Sequence, residues 1–173
     1  MGSSHKKQGK IADNNEKKSK VFSKLVRLIQ VEAKLCNGDV NSAGLKSAIE
    51  KARKENMPKD NVERAIKKAS ESADVTAVMY EGYGPAGIGI IITGLTDNNN
   101  RTSQEIKHAL SKNGGSLGAQ GSVSWNFTKN SETGAWEPNM TIDASESDIE
   151  ILENIIDALE DNDDVQDVFT NAK

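Results

Sequence analysis

The 173-residue chain has one cysteine, Cys36, so no intramolecular disulfide can form, which fits a reducing compartment. It has two histidines, His5 and His108, and neither stands at metal-ligand spacing from the other or from Cys36. No structural zinc site is expected, and no cofactor. Apolar runs never approach membrane length and no hydrophobic signal core opens the chain, so neither a membrane span nor secretion is expected. No G-x-S-x-G, P-loop or H-E-x-x-H occurs, and no other constellation carries catalysis, so the chain is expected not to be an enzyme. Aromatic residues make up 4% and apolar residues 35%, which limits the core to a modest or divided one.

Charge is present in plenty and unevenly placed. Residues 1–70 carry 17 Lys+Arg against 8 Asp+Glu, a net of +9, whereas residues 131–173 carry 1 against 13, a net of −12. A cationic front and an anionic tail point to a polyanion partner for the front.

Residues 1–19 are polar and lysine-rich and read as a flexible basic arm. From Lys20 the spacing of Phe22, Leu25, Val26, Ile29, Ala33 and Cys36 is helical, and Asn37-Gly38 is a stop. A second helix is expected from Asn41 or Ser42 to Asn56, with Leu45, Ala48, Ile49 and Ala52 inward and Met57-Pro58 ending it. A third starts near Lys59, with Asp60 and Glu63 as a capping pair and Val62, Ala65, Ile66 and Ala69 inward. Residues 20–72 thus read as a three-helix bundle. Its outward cations are Lys17, Lys18, Lys20, Lys24 and Arg27 on or before the first helix, Lys51, Arg53 and Lys54 on the second, and Lys59, Arg64, Lys67 and Lys68 on the third. These twelve are the candidate nucleic-acid contacts. A charge run is ordinarily a solvated face, but here the imbalance extends over all three helices. Stacking aromatics are missing from this surface, since Phe22 belongs to the stripe, so contacts to phosphate and shape are expected.

Residues 73–173 read as an α+β sandwich. The run Gly87–Leu95 is apolar on both sides, so both faces of that strand are expected to be covered. Gly82-Tyr-Gly84-Pro-Ala-Gly87 fits the dinucleotide fingerprint G-x-G-x-x-G, but a strand, not a helix, follows it and Pro85 lacks an N–H. A hairpin turn is the better reading. Thr102-Ser-Gln-Glu105 has capping-box spacing ahead of a helix to Asn113. Val123, Trp125 and Phe127 alternate with polar residues as in a half-buried strand over Ser122–Thr128. A short strand Met140–Asp143, a helix Ser145–Asp161 and a strand Val165–Phe169 complete the pattern. The expectation is β-β-α-β plus a C-terminal β-α-β in one sheet, with helices on one face. The acidic run Glu160, Asp161, Asp163 and Asp164 lacks the glycine and final glutamate of a calcium loop and reads as a turn. His108 reads as a solvated side chain.

Five segments occur together in this order: Met57-Pro-Lys-Asp-Asn-Val-Glu-Arg-Ala-Ile-Lys67, Tyr80-Glu-Gly-Tyr-Gly-Pro85, Thr96-Asp-Asn-Asn-Asn-Arg-Thr102, Asn113-Gly-Gly-Ser-Leu-Gly118 with Gly121-Ser-Val123, and Ile156-Asp-Ala-Leu-Glu-Asp-Asn-Asp-Asp-Val-Gln166. In these the chain resembles the YebC family, which includes the mitochondrial translational activator of cytochrome c oxidase. It departs from the family pattern twice. Ser3-Ser-His-Lys-Lys7 stands where the family has Gly-His-Ser-Lys-Trp, and only residues 128–139 stand where the family inserts a further domain. The resemblance implies a non-enzymatic nucleic-acid-associated regulator. The favoured form is a ribosomal-RNA-binding translation factor. The alternative is a DNA-binding transcriptional regulator, for which Asn61, Arg64 and Lys68 would read base edges. A monomer is expected, in the cytoplasm, or in mitochondria for a eukaryotic source.

Overall fold

The computed structural model describes residues 4–71 and 74–173, with side chains from residue 17 onward. Two compact units divide the chain, residues 1–73 and 74–173.

In the first unit α1 (Ser4–Leu35), α2 (Ala43–Lys54) and α3 (Lys59–Lys67) surround one apolar core. The expected helix start at Lys20 is corrected. The helix runs back to Ser4; residues 4–19 contain no proline to stop it, and five of them are Lys, a good helix former. Of the flexible arm expected over 1–19, the first three residues and the side chains of residues 4–16 lie outside the described residues. Leu25, Ile29 and Ala33 of α1 meet Leu45, Ala48 and Ala52 of α2 and Val62 and Ala65 of α3. The alanines let backbones approach closely, and Phe22, Ile49 and Ile66 close the edges. A Cβ on Gly44 would meet Glu32 Oε2, the far end of a flexible side chain. The Glu32 carboxylate therefore sits at the first turn of α2, where the helix dipole favours negative charge. The expected Asp60–Glu63 cap is absent. Pro58 occupies the N-cap of α3 and makes no side-chain cap, while Glu63 turns to Lys59 at 3.8 Å.

The second unit is built on a four-stranded antiparallel sheet in the order β3-β1-β2-β6, from β1 (Thr76–Tyr83), β2 (Gly89–Thr96), β3 (Ser116–Leu117) and β6 (Val165–Thr170). A 3₁₀ turn, Pro85–Gly87, joins β1 to β2, so the G-x-G-x-x-G segment is a hairpin connection. Ile90 and Ile92 of β2 pack against α4 (Asn99–Lys112) and α5 (Glu146–Glu160) through Ile106, Leu110, Leu152, Ile155 and Leu159. Ile91, between them, points to the opposite face and meets Val123 and Phe127. The central strand is covered on both sides, as its sequence requires. Where β2 pairs with β6 the register shifts at Thr93/Gly94. A Cβ on Gly94 would stand 2.5 Å from the Asp164 carbonyl oxygen.

The one-sheet expectation is corrected in two places. Ser122–Thr128 is not a strand. Ser124–Asn126 forms a 3₁₀ turn, and β4 (Phe127–Lys129) pairs with β5 (Trp136–Pro138) in a separate hairpin. Met140–Asp143 contributes only a single parallel bridge, Ile142 to Ala172.

The cause of the first correction is Glu81. Its buried carboxylate accepts the backbone N–H groups of Gly121, Val123 and Ser124. Those donors are consumed by a side chain and cannot enter a ladder. Burial alone would raise the carboxyl pKa, but the N–H bonds from Gly121, Ser124 and Val123 prevail and hold it below its ordinary value. Asn126 makes a second clamp. Its Nδ2 donates to the Met140 carbonyl at 2.9 Å and its Oδ1 accepts the Met140 N–H at 3.0 Å.

Candidate nucleic-acid interface

All twelve candidate cations lie in the first unit, and the bundle sorts them by burial. Lys17, Lys18, Arg53, Lys54, Lys59, Arg64, Lys67 and Lys68 are exposed, while Lys20, Lys24, Arg27 and Lys51 are half-buried. Lys17, Lys20, Lys24 and Arg27 have partners within the molecule. The group with the most open access is therefore the last turn of α2 and the outer face of α3. Arg53 and Lys54 end α2, and Lys59 opens α3 after a short turn. That turn is fixed by Asn56 at φ 59° and by the Met57 N–H bond to the Ala52 carbonyl at 2.9 Å. Along α3, Arg64, Lys67 and Lys68 point away from the stripe of Val62, Ala65 and Ile66. The first turn of α3 carries Asp60, and Glu63 lies beside Lys59. These acids moderate the field at that end and leave the C-terminal half cationic.

The second unit contains a polar cluster at the start of α4. Asp164, from the acidic run, is buried. Its Oδ2 accepts Arg101 Nη2 at 2.8 Å and the Thr102 hydroxyl at 2.8 Å, and Thr102 Oγ1 lies 2.7 Å from Thr96 Oγ1. The Tyr80 hydroxyl donates to Asn99 Oδ1. Burial first, and the negative charge of Asp164 second, push the Tyr80 hydroxyl above its ordinary pKa. The hydrogen bond to Asp164 does the same for Arg101. Thr102 is thus not the helix cap. Asn98 is, its side chain accepting the Arg101 N–H at 3.1 Å, and Thr102 is freed to hold the loop before β6. Every member of the cluster has a partner inside the fold, so it is a fastening and not an open site. By its sequence alone Asp164 reads as one more turn acid. The signal that marks it is the apolar Val165 that follows, which turns the end of the run into the core.

Among the described residues no three His, Cys, Asp or Glu side chains are grouped to hold a metal ion, and no helix is long and apolar enough to cross a membrane. His108 is exposed on α4.

Comparison with known proteins agrees with this architecture. A sequence profile for the TACO1/YebC N-terminal domain matches residues 3–72, and one for the TACO1/YebC second and third domain matches residues 75–134 and 129–172. The two pieces of the second match meet at the β4–β5 turn. A probable transcriptional regulatory protein of Thermotoga petrophila is 51% identical over 117 residues, 65% of this chain and 46% of that protein, so the match spans about half the relative's length. A protein of the same description from Fervidobacterium nodosum is 36% identical over 221 residues, covering 92% of this chain and 88% of the relative. The crystal structure of a conserved hypothetical protein from Aquifex aeolicus superposes with a TM-score of 0.78 at 30% identity over 90% of each chain. On the profile matches and these relatives, the chain belongs to the TACO1/YebC family.

Proposed function

We propose that the chain is a non-enzymatic regulator that binds structured RNA of the ribosome through the cationic surface of α2 and α3 and acts in translation. The observation that carries this reading is the charge placement. A net of +9 lies on residues 1–70, with Arg53, Lys54, Lys59, Arg64, Lys67 and Lys68 all exposed and no exposed aromatic on the three helices among the described residues. Such a surface engages phosphates and helical shape more than base edges. Lys20, Lys24, Arg27 and Lys51, half-buried, support the rim of the surface.

A second reading is favoured by the description of the relatives as probable transcriptional regulatory proteins. In it the same face binds duplex DNA, with Asn61, Arg64 and Lys68 reaching into a groove. The cytoplasm, or the mitochondrion for a eukaryotic source, suits either reading, and a monomer suffices for both.

Sedimentation with intact ribosomes over a salt series, with duplex DNA as competitor, separates them. The translation reading expects co-sedimentation at low salt that falls steeply as salt rises and resists duplex DNA. Protein left wholly in the supernatant at low salt contradicts it, and one duplex displacing ribosomes in preference to scrambled duplexes supports the second reading.

A further inference from the structure

Of the chain's seven aromatic residues, six are buried or half-buried and one, Trp125, is 67% exposed. Its alternation with Val123 and Phe127 predicts a half-buried strand position; the fold instead displays it at the head of the β4–β5 hairpin. Its backbone is held firmly. Glu81 takes the N–H groups of Val123 and Ser124 on one side, and Asn126 clamps Met140 on the other. The ring is anchored as well, since Nε1 donates to the Ser122 carbonyl at 2.8 Å, an oxygen that also accepts the Tyr83 hydroxyl at 3.1 Å. The indole's one polar atom is therefore used internally. What it offers a partner is a flat aromatic face on a fixed support.

The surroundings say which partner. From Ile106 to Ser131 the chain has no Asp or Glu, although it has 26 elsewhere. Lys129 is exposed on β4. Of the carboxylates near this segment, Glu81 is buried and filled by N–H donors, Glu137 accepts Asn130 Nδ2 at 3.2 Å, and Glu132 lies in the turn. The neighbours Ser122, Ser124, Asn126 and Thr128 are polar, and Met140 is the one other exposed apolar side chain the clamp places here. A protein-binding core needs a wider apolar patch with several anchors. A single rigid aromatic in a polar surface of low negative charge matches how single strands are held, by stacking on a sequence-tolerant face.

We propose that Trp125 is a stacking platform for an unpaired nucleobase, a second nucleic-acid contact, in the unit that does not carry the basic helices. The proposal rests on the nucleic-acid reading above and deepens it: the partner has exposed single-stranded bases as well as structured phosphate.

The test uses the full chain. In a W136F background Trp125 is the sole tryptophan, and its fluorescence is titrated with a ten-nucleotide uridine RNA, the matching thymidine DNA and a fully paired RNA duplex. Saturable quenching by the single strands and none by the duplex is expected, and the RNA and DNA arms show whether the 2′-hydroxyl matters. In the otherwise unaltered chain, W125A should weaken single-stranded RNA binding roughly 5- to 150-fold, the range of one lost stacking contact, with W125F close to the parent. The salt slope of log affinity should not change, because no phosphate contact is lost. Equal affinity of W125A and parent overturns the proposal, as does quenching by the duplex equal to that by single strands, or a Trp125-dependent complex with a protein and none with RNA. If charge reversal on α3 abolishes binding while W125A does not, the basic face stands and the stacking proposal falls. Binding lost in W125A but kept after the charge reversal supports stacking and removes the α3 reading instead.

Discussion

Asp164 Oδ2 sits 2.8 Å from Arg101 Nη2, with the Asp164 side chain 5% exposed and the Arg101 side chain 45% exposed. The asymmetry predicts unequal costs for the two partners. D164A removes the buried acceptor shared by Arg101 and the Thr102 hydroxyl, leaving that hydroxyl only Thr96 and the Asn98 carbonyl, and releases the loop before β6, so it should destabilise by about 3 kcal/mol. R101A leaves a carboxylate still bonded to the Thr102 hydroxyl, and removes only an exposed partner, so it should cost less than D164A. Urea unfolding of both variants checks the order. Equal losses would mean the ion pair, not the hydroxyl network, holds the loop.

Glu81 predicts an acid-sensitive stability. Its folded pKa lies below the ordinary glutamate value, so its contribution is complete above the unfolded pKa, about 4.3, and is lost as pH falls through the folded one. E81Q keeps the shape but loses charge-assisted bonds from three N–H groups, and should cost about 2 kcal/mol at pH 7. The gap between wild type and E81Q should narrow below about pH 4.3. A gap constant from about pH 7 to about pH 3 contradicts this assignment.

The N-terminus of α4 offers two candidate caps that substitution can tell apart. N98A removes the side chain that accepts the Arg101 N–H, and should cost about 1 kcal/mol. T102S keeps the hydroxyl in its buried network and should cost less than T102V, which removes it. If Thr102 were the cap, as its spacing with Glu105 suggests, N98A would be neutral. Thermal unfolding of the three variants decides.

Features that depend on local periodicity are legible in the sequence. The stripes of α2 and α3, the doubly apolar β2 and the Pro85 hairpin all follow from side chains within a few residues of each other. Features that depend on partners far along the chain are not. The alternation of Val123, Trp125 and Phe127 has a strand's period, but Glu81, 42 residues before Val123, takes the N–H groups a strand would use. Asp164 is one acid among several in the sequence, and only the fold surrounds it with Arg101 and Thr102. For the interface, the sequence identifies which residues are cationic, and packing divides them into exposed Arg53, Lys54, Lys59, Arg64, Lys67 and Lys68 and half-buried Lys20, Lys24, Arg27 and Lys51.

The central claim is that the outer face of α3 binds nucleic acid, and fluorescence anisotropy of a structured ribosomal RNA fragment over a salt series tests it most directly. Lys59, Arg64, Lys67 and Lys68 are replaced together by Glu. All four are exposed and lie off the apolar stripe, so circular dichroism should show an intact fold. Binding at moderate salt should vanish, and any residual low-salt binding should show a slope smaller by about 0.7 to 0.9 per lost phosphate contact. Replacing the exposed acids Asp161 and Asp163 with Asn should not weaken binding, since acids can only repel phosphate. Affinity and slope both unchanged in the fourfold variant would make the basic face a solvated surface and contradict the account.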